Sequence, residues 1–460
     1  MSFLDRERTV AQPGYSRWLV PPAALFVHLC IGQVYAFSVF NLPMTRLIGI
    51  QEPVPGDWKL TQLGWIYSLA IVFLGLSAAV FGHWVERAGP RKAMFTAACC
   101  FGGGFLISAY GVATHQLWLI YLAYGVLGGC GLGIGYISPV RTLISWFPDR
   151  PGMATGLAIM GFGGGAMIAS PLSEKLMEFY ASPTSVGVAE TFLTLGLIYL
   201  ISMCIGAIIV RVPAKGWKPA GFIAPTKQRK LITTANVDVN ETMKTPQFYF
   251  LWGVLFINVT AGIGVLGQAS AMSQEMMPRV IDAAAAAGFV GLLSIFNMLG
   301  RIGWASFSDY IGRKNTYFVF FILGTCLYTA APWTADIHSV ALYVLCFCII
   351  ISMYGGGFAT IPAYLRDIFG TMHVGAIHGR LLTAWSAAGI AGPVLVNYIR
   401  EFQINSGVPV TEAYDVPLYI MAGLLVVGLI CNSLVKPVHP KHHYKEAAAE
   451  VGGRPARAEA

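Results

Sequence analysis

An arginine lies within an apolar run of this sequence. The stretch FNMLGRIGWASFSDYIGRK (296–314) places Arg301 among apolar residues and becomes charged only eight residues later. A guanidinium in the hydrocarbon core of a membrane costs about 2.5–3.5 kcal/mol on insertion scales, so such a residue predicts a functional site. Its planar fork of N–H groups matches the two oxygens of a carboxylate. The chemistry expected of Arg301 is therefore recognition of an anion by paired hydrogen bonds.

No acidic residue is predicted to pair with Arg301 inside the membrane. All 22 aspartates and glutamates fall in predicted loops, tails or helix ends. Counted to the residue before the charged loop, Arg301 lies about seven residues from the end of its helix, which is roughly 10 Å at 1.5 Å per residue. An anion from solution would supply the missing counter-charge. Two alternatives stay open, that backbone carbonyls satisfy the guanidinium or that it snorkels to the surface.

The composition predicts a polytopic membrane protein around this arginine. Of 460 residues, 56% are hydrophobic and 11% are charged, whereas soluble proteins have about 25% charged residues. A membrane-spanning helix needs about 20 mostly apolar residues. Twelve such runs occur, at 18–42, 61–82, 93–113, 117–140, 152–172, 190–210, 247–271, 284–306, 315–333, 339–362, 376–399 and 416–435. The predicted fold class is all-α, with twelve transmembrane helices in two six-helix bundles.

Lysine and arginine residues give the predicted orientation. Most of the 30 fall in the termini and in alternate loops that share one side, which predicts that both termini are cytoplasmic. The surplus charge of +8 then faces the lipid surface, so we expect no nucleic-acid partner. We also expect a monomer in the inner membrane. The predicted parts are an N-terminal bundle (1–212), a cytoplasmic linker (213–245), a C-terminal bundle (246–436) and a disordered cytoplasmic tail (437–460).

Two loops of the sequence repeat at a fixed distance. GHWVERAGPRK (82–92) follows the second predicted span, and ASFSDYIGRK (305–314) follows the eighth. Four pairs of residues share an offset of 223, namely Glu86 with Asp309, Gly89 with Gly312, Pro139 with Pro362 and Gly156 with Gly379. The pattern indicates an internal duplication of a six-helix unit.

The repeated loops hold charges that could latch the two halves in one conformation. Each acid can bond the start of a neighbouring helix, and each glycine permits a tight turn. The candidates for this conformational gate are Glu86, Arg87, Gly89, Arg91, Asp309, Gly312 and Arg313. The alternative is that these residues only anchor the topology.

Both loops resemble the loop signature of the major facilitator superfamily. More narrowly, QVYAFSVF (33–40), WFPDRPGMATGLAIMGFGGGA (146–166), YGGGFATIPAYLRDIFG (354–370) and IHGRLLTAWSAAGIAGP (377–393) are similar to the oxalate/formate antiporter family, which is related to the monocarboxylate carriers. The resemblance implies alternating access between two six-helix bundles that hold the substrate between them. It also implies that Arg301 binds the substrate carboxylate.

Two departures from the family pattern bear on the substrate. Related proton-linked carriers place an aspartate one turn before the arginine, where this chain has Asn297, which can orient Arg301 but cannot carry a proton. The oxalate pattern has a lysine on helix 11, where this chain has Trp385 and small residues. Since one positive charge fits one carboxylate, we expect a monocarboxylate such as formate, lactate or pyruvate, with oxalate/formate antiport as the alternative. Proton symport and anion exchange both stay open.

The predicted cavity combines Arg301 with polar side chains of other spans. Tyrosine hydroxyls can donate to a carboxylate while their rings shape the pocket. These candidates are Gln33, Tyr35, Tyr124, Asn297, Tyr354 and Trp385. His28 is expected to pack rather than to relay protons. None of the nine cysteines has the spacing of a metal site or a disulfide framework, so no metal or cofactor is expected.

Two other classes of protein fit the sequence less well. A membrane-embedded enzyme would need an acid and a base, a nucleophile or metal ligands within the spans, and the positions of the acids exclude the carboxylate versions. Glycine-rich runs such as GGCGLGIGY (128–136) lack the lysine of a phosphate loop and indicate close helix packing. A non-transporting membrane sensor would be marked by an attached signalling domain. We therefore expect a secondary transporter of small carboxylates rather than an enzyme.

Overall fold

The chain folds into long helices joined by short loops. The structure, a computed structural model, describes residues 3–58, 60–219, 232–233, 235–266, 268–278, 280–281 and 283–444. Within these ranges the regular structure is helical, apart from isolated β-bridges. The long helices are α1 (Val20–Ile31), α2 (Leu60–Ala88), α3 (Pro90–Ala113), α4 (Leu117–Trp146), α5 (Pro151–Tyr180), α6 (Val188–Ile209), α7 (Pro246–Leu266), α8 (Ala283–Ile311), α9 (Arg313–Asp336), α10 (Val340–Phe369), α11 (Val374–Asn405) and α12 (Asp415–Leu434).

These helices are suited to a membrane by length and composition. In the described part of the chain, eleven helical stretches are long and apolar enough to cross a membrane. The remaining long helix, α8, has 29 residues, or about 43 Å at 1.5 Å per residue, against a hydrocarbon core of about 30 Å. The all-α polytopic fold predicted from the sequence is confirmed.

The two halves of the molecule meet along two seams. Helices α1–α6 pack on one another, as do α7–α12, and the seams are formed by α5 against α8 and by α2 against α11. A Cβ atom at Gly156 would lie 2.5 Å from the carbonyl oxygen of Arg301, and one at Gly379 would overlap the carbonyl oxygen of Ala78. Because Gly156 and Gly379 are one of the four repeated pairs, the same close approach serves both seams.

Two stretches of irregular helix hold predicted cavity residues. α1 continues as a 3-10 segment over Gly32–Phe40, which contains Gln33 and Tyr35. α4 includes a π-helical segment over Tyr121–Gly128, which contains Tyr124. Local changes of helix type of this kind often mark functional positions.

Part of the tail that was predicted to be disordered is ordered. Residues 437–444 lie against the linker, where His443 forms a β-bridge with Val237. The backbone of this segment pairs with the linker, whereas its polar composition suggested that it would be surrounded by solvent. The rest of the tail (445–460) and most of the middle of the linker lie outside the described residues.

Candidate functional site

Arg301 is fully buried and lies deeper than the sequence suggested. α8 continues to Ile311, so Arg301 is ten residues, or about 15 Å, from that end of the helix. The apolar run ends earlier, but the helix continues because its last polar side chains have partners. Arg313 donates to the hydroxyl of Ser308 and to the carboxylate of Asp309.

Two of the three guanidinium nitrogens of Arg301 have partners. Nε donates to Oδ1 of Asn297 at 3.3 Å, and Nη1 donates to the carbonyl oxygen of Ile159 on α5 at 3.2 Å. Nη2 is buried and has no hydrogen-bond partner in the described residues. Asn297 therefore contacts Arg301 in the way that the sequence predicted. The two N–H groups of Nη2 stay available to a ligand.

The positive charge of Arg301 has no carboxylate partner within the described ranges, where the ion pairs join other residues. The guanidinium instead lies 5.8 Å from the ring centre of Phe162 in the first half and 5.6 Å from that of Phe358 in the second. Cation–π contacts contribute about 0.5–2 kcal/mol, which is less than the several kcal/mol of desolvating a charge. Full burial also excludes snorkelling.

Other hydrogen-bond donors surround this guanidinium. The hydroxyls of Tyr35 and Tyr354 lie near Arg301 and near each other, and neither makes a well-formed hydrogen bond within the described part of the chain. The indole Nε1 of Trp385 is also buried, and it makes no hydrogen bond within the described residues. Since hydroxyl and indole groups can donate as the guanidinium does, an anion placed among them would find several donors.

Aromatic rings from both halves enclose these donors. The ring centres are 5.0 Å apart for Tyr35 and Phe162, and 6.4 Å apart for Tyr35 and Trp385. They are 4.5 Å apart for Phe358 and Trp385, and 5.3 Å apart for Tyr354 and Phe358. Rings packed in this way exclude water, and hydrogen bonds to a charge are stronger in such surroundings. The central site comprises Tyr35, Phe162, Asn297, Arg301, Tyr354, Phe358 and Trp385.

Sequence reasoning missed Tyr136, which lies against the central site. Its ring centre is 5.7 Å from that of Phe162 and 5.6 Å from that of Trp385, and its hydroxyl is buried without a partner among the described residues. In the sequence it ends the run 128–136, which we interpreted as helix packing alone. Both ring nitrogens of His28 face backbone carbonyls, an arrangement compatible with the packing role expected for it.

Gln33 and Tyr124 form a separate pair. The hydroxyl of Tyr124 donates to Oε1 of Gln33 at 3.0 Å. The ring of Tyr124 packs on Phe37 and Phe105 inside the first half, with ring centres 4.5 and 5.1 Å apart. The structure thus brings five of the seven predicted substrate residues together and holds these two as a pair of their own.

The repeated loops form two inter-half contacts at one end of the helices. Asp309, in the second half, accepts from the backbone N–H groups of Gly152 and Met153, each at 3.0 Å, in the first turn of α5. Arg313 donates to the same carboxylate. The first N–H groups of a helix have no partner within the helix, so Asp309 caps a helix that belongs to the other half.

Glu86 makes the corresponding contact from the first half. Its Oε1 accepts from the N–H of Ala376, at 3.2 Å, in the first turn of α11. Its Oε2 lies 2.9 Å from Nδ1 of His373, and Nε of Arg141 lies 3.5 Å from Oε1. We call the Glu86–Ala376 contact and its Asp309 counterpart the latches, and the end of the molecule where they lie the charged end.

Comparison with known proteins decides the family. A family model described as Major Facilitator Superfamily matches residues 24–393. The chain belongs to the Major Facilitator Superfamily. It is 26% identical to the oxalate:formate antiporter of Oxalobacter formigenes, over 82% of this chain and 83% of that protein. It is 21% identical to the apicoplast pyruvate carrier 1 of Toxoplasma gondii, over 91% and 89%.

A solved structure supports the same fold. The crystal structure of the E. coli fucose:proton symporter FucP superposes with a TM-score of 0.64 at 13% identity, covering 91% of this chain and 98% of that one. Members of this superfamily are transporters and not enzymes, which confirms the class predicted from the sequence. The chain is therefore a multi-pass membrane transporter.

The loop glycines of this superfamily member adopt a backbone conformation that suits the tight turns expected at these positions. Gly89 has φ 84° and Gly312 has φ 90°, in the region that other residues rarely adopt. Arg91 behaves differently from the expectation, because its guanidinium donates to the backbone carbonyls of Phe3 and Ile208 in its own half. Its contacts therefore brace the first half and do not support a role in latching the two halves.

Proposed function

We propose that this chain carries small monocarboxylates, of the class of formate, lactate or pyruvate, across the inner membrane by alternating access. The observation that carries the proposal is a fully buried Arg301 with a free Nη2 and no carboxylate partner in the described residues. A substrate carboxylate would accept from Nη2 and from the neighbouring donors, and it would also neutralise the isolated charge.

One fixed charge favours a substrate with one carboxylate. Trp385, which packs on the same two rings as Arg301, offers an unpaired and uncharged N–H where the oxalate pattern has a second cation. A dicarboxylate would bring its second charge into surroundings that lack a counter-charge, at a desolvation cost of several kcal/mol. Two relatives bear names that include small carboxylates, oxalate and formate for one and pyruvate for the other, which supports the substrate class. Oxalate/formate exchange is the second candidate because of the first of these relatives.

The latches suggest how the site is exposed to one side at a time. They close the charged end, which carries the basic loops and is therefore cytoplasmic in our proposal, with both termini on that side. Release of substrate into the cytoplasm would require the latches to separate and the seams of α5 with α8 and of α2 with α11 to rearrange. The donors of the central site come from both halves, so the substrate would contact both during this change.

A counterflow assay in proteoliposomes tests the proposal without assuming a direction of transport. Purified protein is reconstituted with unlabelled formate, oxalate, lactate or pyruvate inside, and labelled solute is supplied outside, with and without a pH gradient. We expect labelled monocarboxylates to exchange faster than oxalate. Fastest exchange of oxalate would favour the second candidate, whereas a protein that moved none of the four would fit a sensor. Dependence on the pH gradient would separate proton symport from anion exchange.

A further inference from the structure

Three metal-ligating side chains lie together beside one latch. His83 and Glu86, in α2, and His373, directly before α11, each offer a ligand atom, and these atoms lie within 4.8 Å of one another. Two of the residues belong to the first half and one to the second. Their separation along the chain means that no sequence motif could have predicted the cluster.

Each member of the cluster has an atom placed for coordination, and two of these atoms, Oε2 of Glu86 and Nδ1 of His373, hydrogen-bond to each other without an ion. Nδ1 of His83 is buried and has no hydrogen-bond partner in the part of the chain that the structure describes. Glu86 uses Oε1 for the latch with Ala376, and its Oε2 lies 2.9 Å from Nδ1 of His373. A bound ion would take the place of the proton between these two atoms. The two imidazole rings have centres 5.6 Å apart. Two histidines and one carboxylate form a ligand set that Zn²⁺ uses when its fourth position holds water.

A further carboxylate, that of Asp238, lies near the second ring nitrogen of His373. Oδ2 of Asp238 lies 3.7 Å from Nε2 of His373. A metal-binding histidine commonly donates its second N–H to a carboxylate, which fixes the tautomer and raises the basicity of the ligating nitrogen. With Nε2–H directed at Asp238, Nδ1 of His373 would be the ligating atom. A cavity of about 450 Å³, lined by His83, His373 and Asp238 among others, gives an ion access from the solvent.

The charges around the cluster partly oppose a cation. Arg87 and Arg380 line the same cavity, and Arg141 approaches Glu86. The guanidinium of Arg380 is held by the carbonyl of Val239 and by Asn240, each at 2.8 Å, and Arg141 faces Oε1 of Glu86 rather than Oε2. The carboxylates of Glu86 and Asp238 carry two negative charges, which offset the double positive charge of the ion locally. Because the nearby arginines repel a cation, the ion must be held by direct bonds to the ligand atoms.

We propose that His83, Glu86 and His373 bind a divalent transition-metal ion, with Zn²⁺ as the best match, and that the bound ion ties the two halves together at the charged end. Ligands drawn from both halves are close together only while this end is closed. An ion that binds this state better than the open one stabilises it. The proposal is independent of which solute the protein carries.

Titration of the full chain with Zn²⁺ tests the site. Protein purified in detergent and freed of metal with a chelator is titrated calorimetrically. We expect His83→Ala and His373→Ala each to weaken Zn²⁺ binding by about tenfold or more, and Asp238→Asn by about tenfold. The matched control is His439→Ala, an exposed histidine near the same end, which should leave the affinity unchanged.

Two further readouts make the outcome decisive. Zn²⁺ should raise the melting temperature of the wild type but not that of His83→Ala or His373→Ala, because only the wild type can join the halves through the ion. Co²⁺ bound to the wild type should give the strong visible absorption of a four-coordinate site, even if a variant fails to fold. The proposal is overturned if only substitutions of His439, His442 or His443 abolish binding, if the thermal shift survives in both variants, or if Co²⁺ keeps its hydrated spectrum.

Discussion

Buried charges lie between the halves in two places, and their surroundings differ. At the charged end, Asp309 accepts from two backbone N–H groups and from Arg313, and Glu86 accepts from Ala376 and approaches His373. In the central site, the described residues offer Arg301 no acid, and one of its nitrogens has no partner. Since a buried charge costs several kcal/mol unless it is paired, the first arrangement holds a conformation and the second is suited to an external counter-charge.

Arg301 within α8 and Arg313 at the start of α9 show the same contrast. Arg313 is 6% exposed, pairs with Asp309 and lies 3.5 Å from the carboxylate of Asp367. Arg301 is 0% exposed and contacts an amide, a carbonyl and two rings. The more deeply buried guanidinium is thus the one with less compensation. Substitutions that remove a charge or supply a partner test this difference directly.

Removal of the unpaired charge should have the largest effect. We expect Arg301→Ala to reduce counterflow by at least about 100-fold, which corresponds to roughly 3 kcal/mol of lost hydrogen bonds to a charged group. Membrane insertion and melting temperature should stay near those of the wild type, because no protein carboxylate loses its partner. Arg301→Lys, which keeps the charge without the planar fork, should retain part of the activity. Normal counterflow by Arg301→Ala would show that the site is assigned wrongly.

Giving Arg301 a counter-charge should make the central site resemble a latch. In Asn297→Asp the new carboxylate would lie where Oδ1 now accepts from Nε at 3.3 Å. We expect counterflow at neutral pH to fall by about tenfold or more, because the new carboxylate competes with the substrate carboxylate for Arg301 with similar geometry. The rate should recover as acidification protonates the new carboxyl group. Asn297→Ala is the control, which should lower the rate without this pH dependence. A rate for Asn297→Asp that did not change with pH would contradict the reasoning.

Breaking a latch should affect stability more than chemistry. Asp309→Asn removes the charge that caps α5, and we expect it to lower the free energy of unfolding by about 1–3 kcal/mol while counterflow falls only severalfold. Differential scanning fluorimetry and counterflow measure the two effects. The control is Asp149→Asn, which breaks a more exposed ion pair with Arg17 inside the first half and should cost about 0–1 kcal/mol. Equal losses from both substitutions would argue against the latch.

The smallest effect is expected at the pair outside the central site. Tyr124→Phe removes the hydrogen bond to Gln33 but keeps the ring among Phe37 and Phe105. The loss of one uncharged hydrogen bond contributes about 1 kcal/mol, so we expect a change in the counterflow rate of only a few fold. A loss as large as that of Arg301→Ala would mean that Tyr124 contacts the substrate directly.

The fold was predictable because its determinants are local. Apolar runs of sufficient length locate the helices, and the positions of all acids in the sequence already isolate Arg301. The depth of Arg301 was underestimated, since hydropathy cannot show that Ser308 and Asp309 find partners that extend α8. The offset of 223 residues identified Glu86 and Asp309 as a pair, because corresponding residues of the two repeated loops lie at a constant distance in the sequence.

Contacts between distant segments were not predictable in this way. Tyr136 joins the central site through the packing of α4 against α5 and α11, and its glycine-rich neighbours indicated packing alone. His373 approaches Glu86 across most of the chain, so neither periodicity nor spacing relates them. Arg91 was assigned to the latches by its place in the repeated loop, whereas its side chain turns toward its own half.

The exchange of helix caps makes each half depend on the other. The beginning of α5 is completed by a carboxylate from the second half, and the beginning of α11 by one from the first. A six-helix fragment produced alone would leave these N–H groups without acceptors, so the two halves are complementary rather than interchangeable. We expect the fragments 1–219 and 232–460 to be recovered together when co-expressed and to be degraded when expressed singly, as co-purification through a tag on one fragment would show.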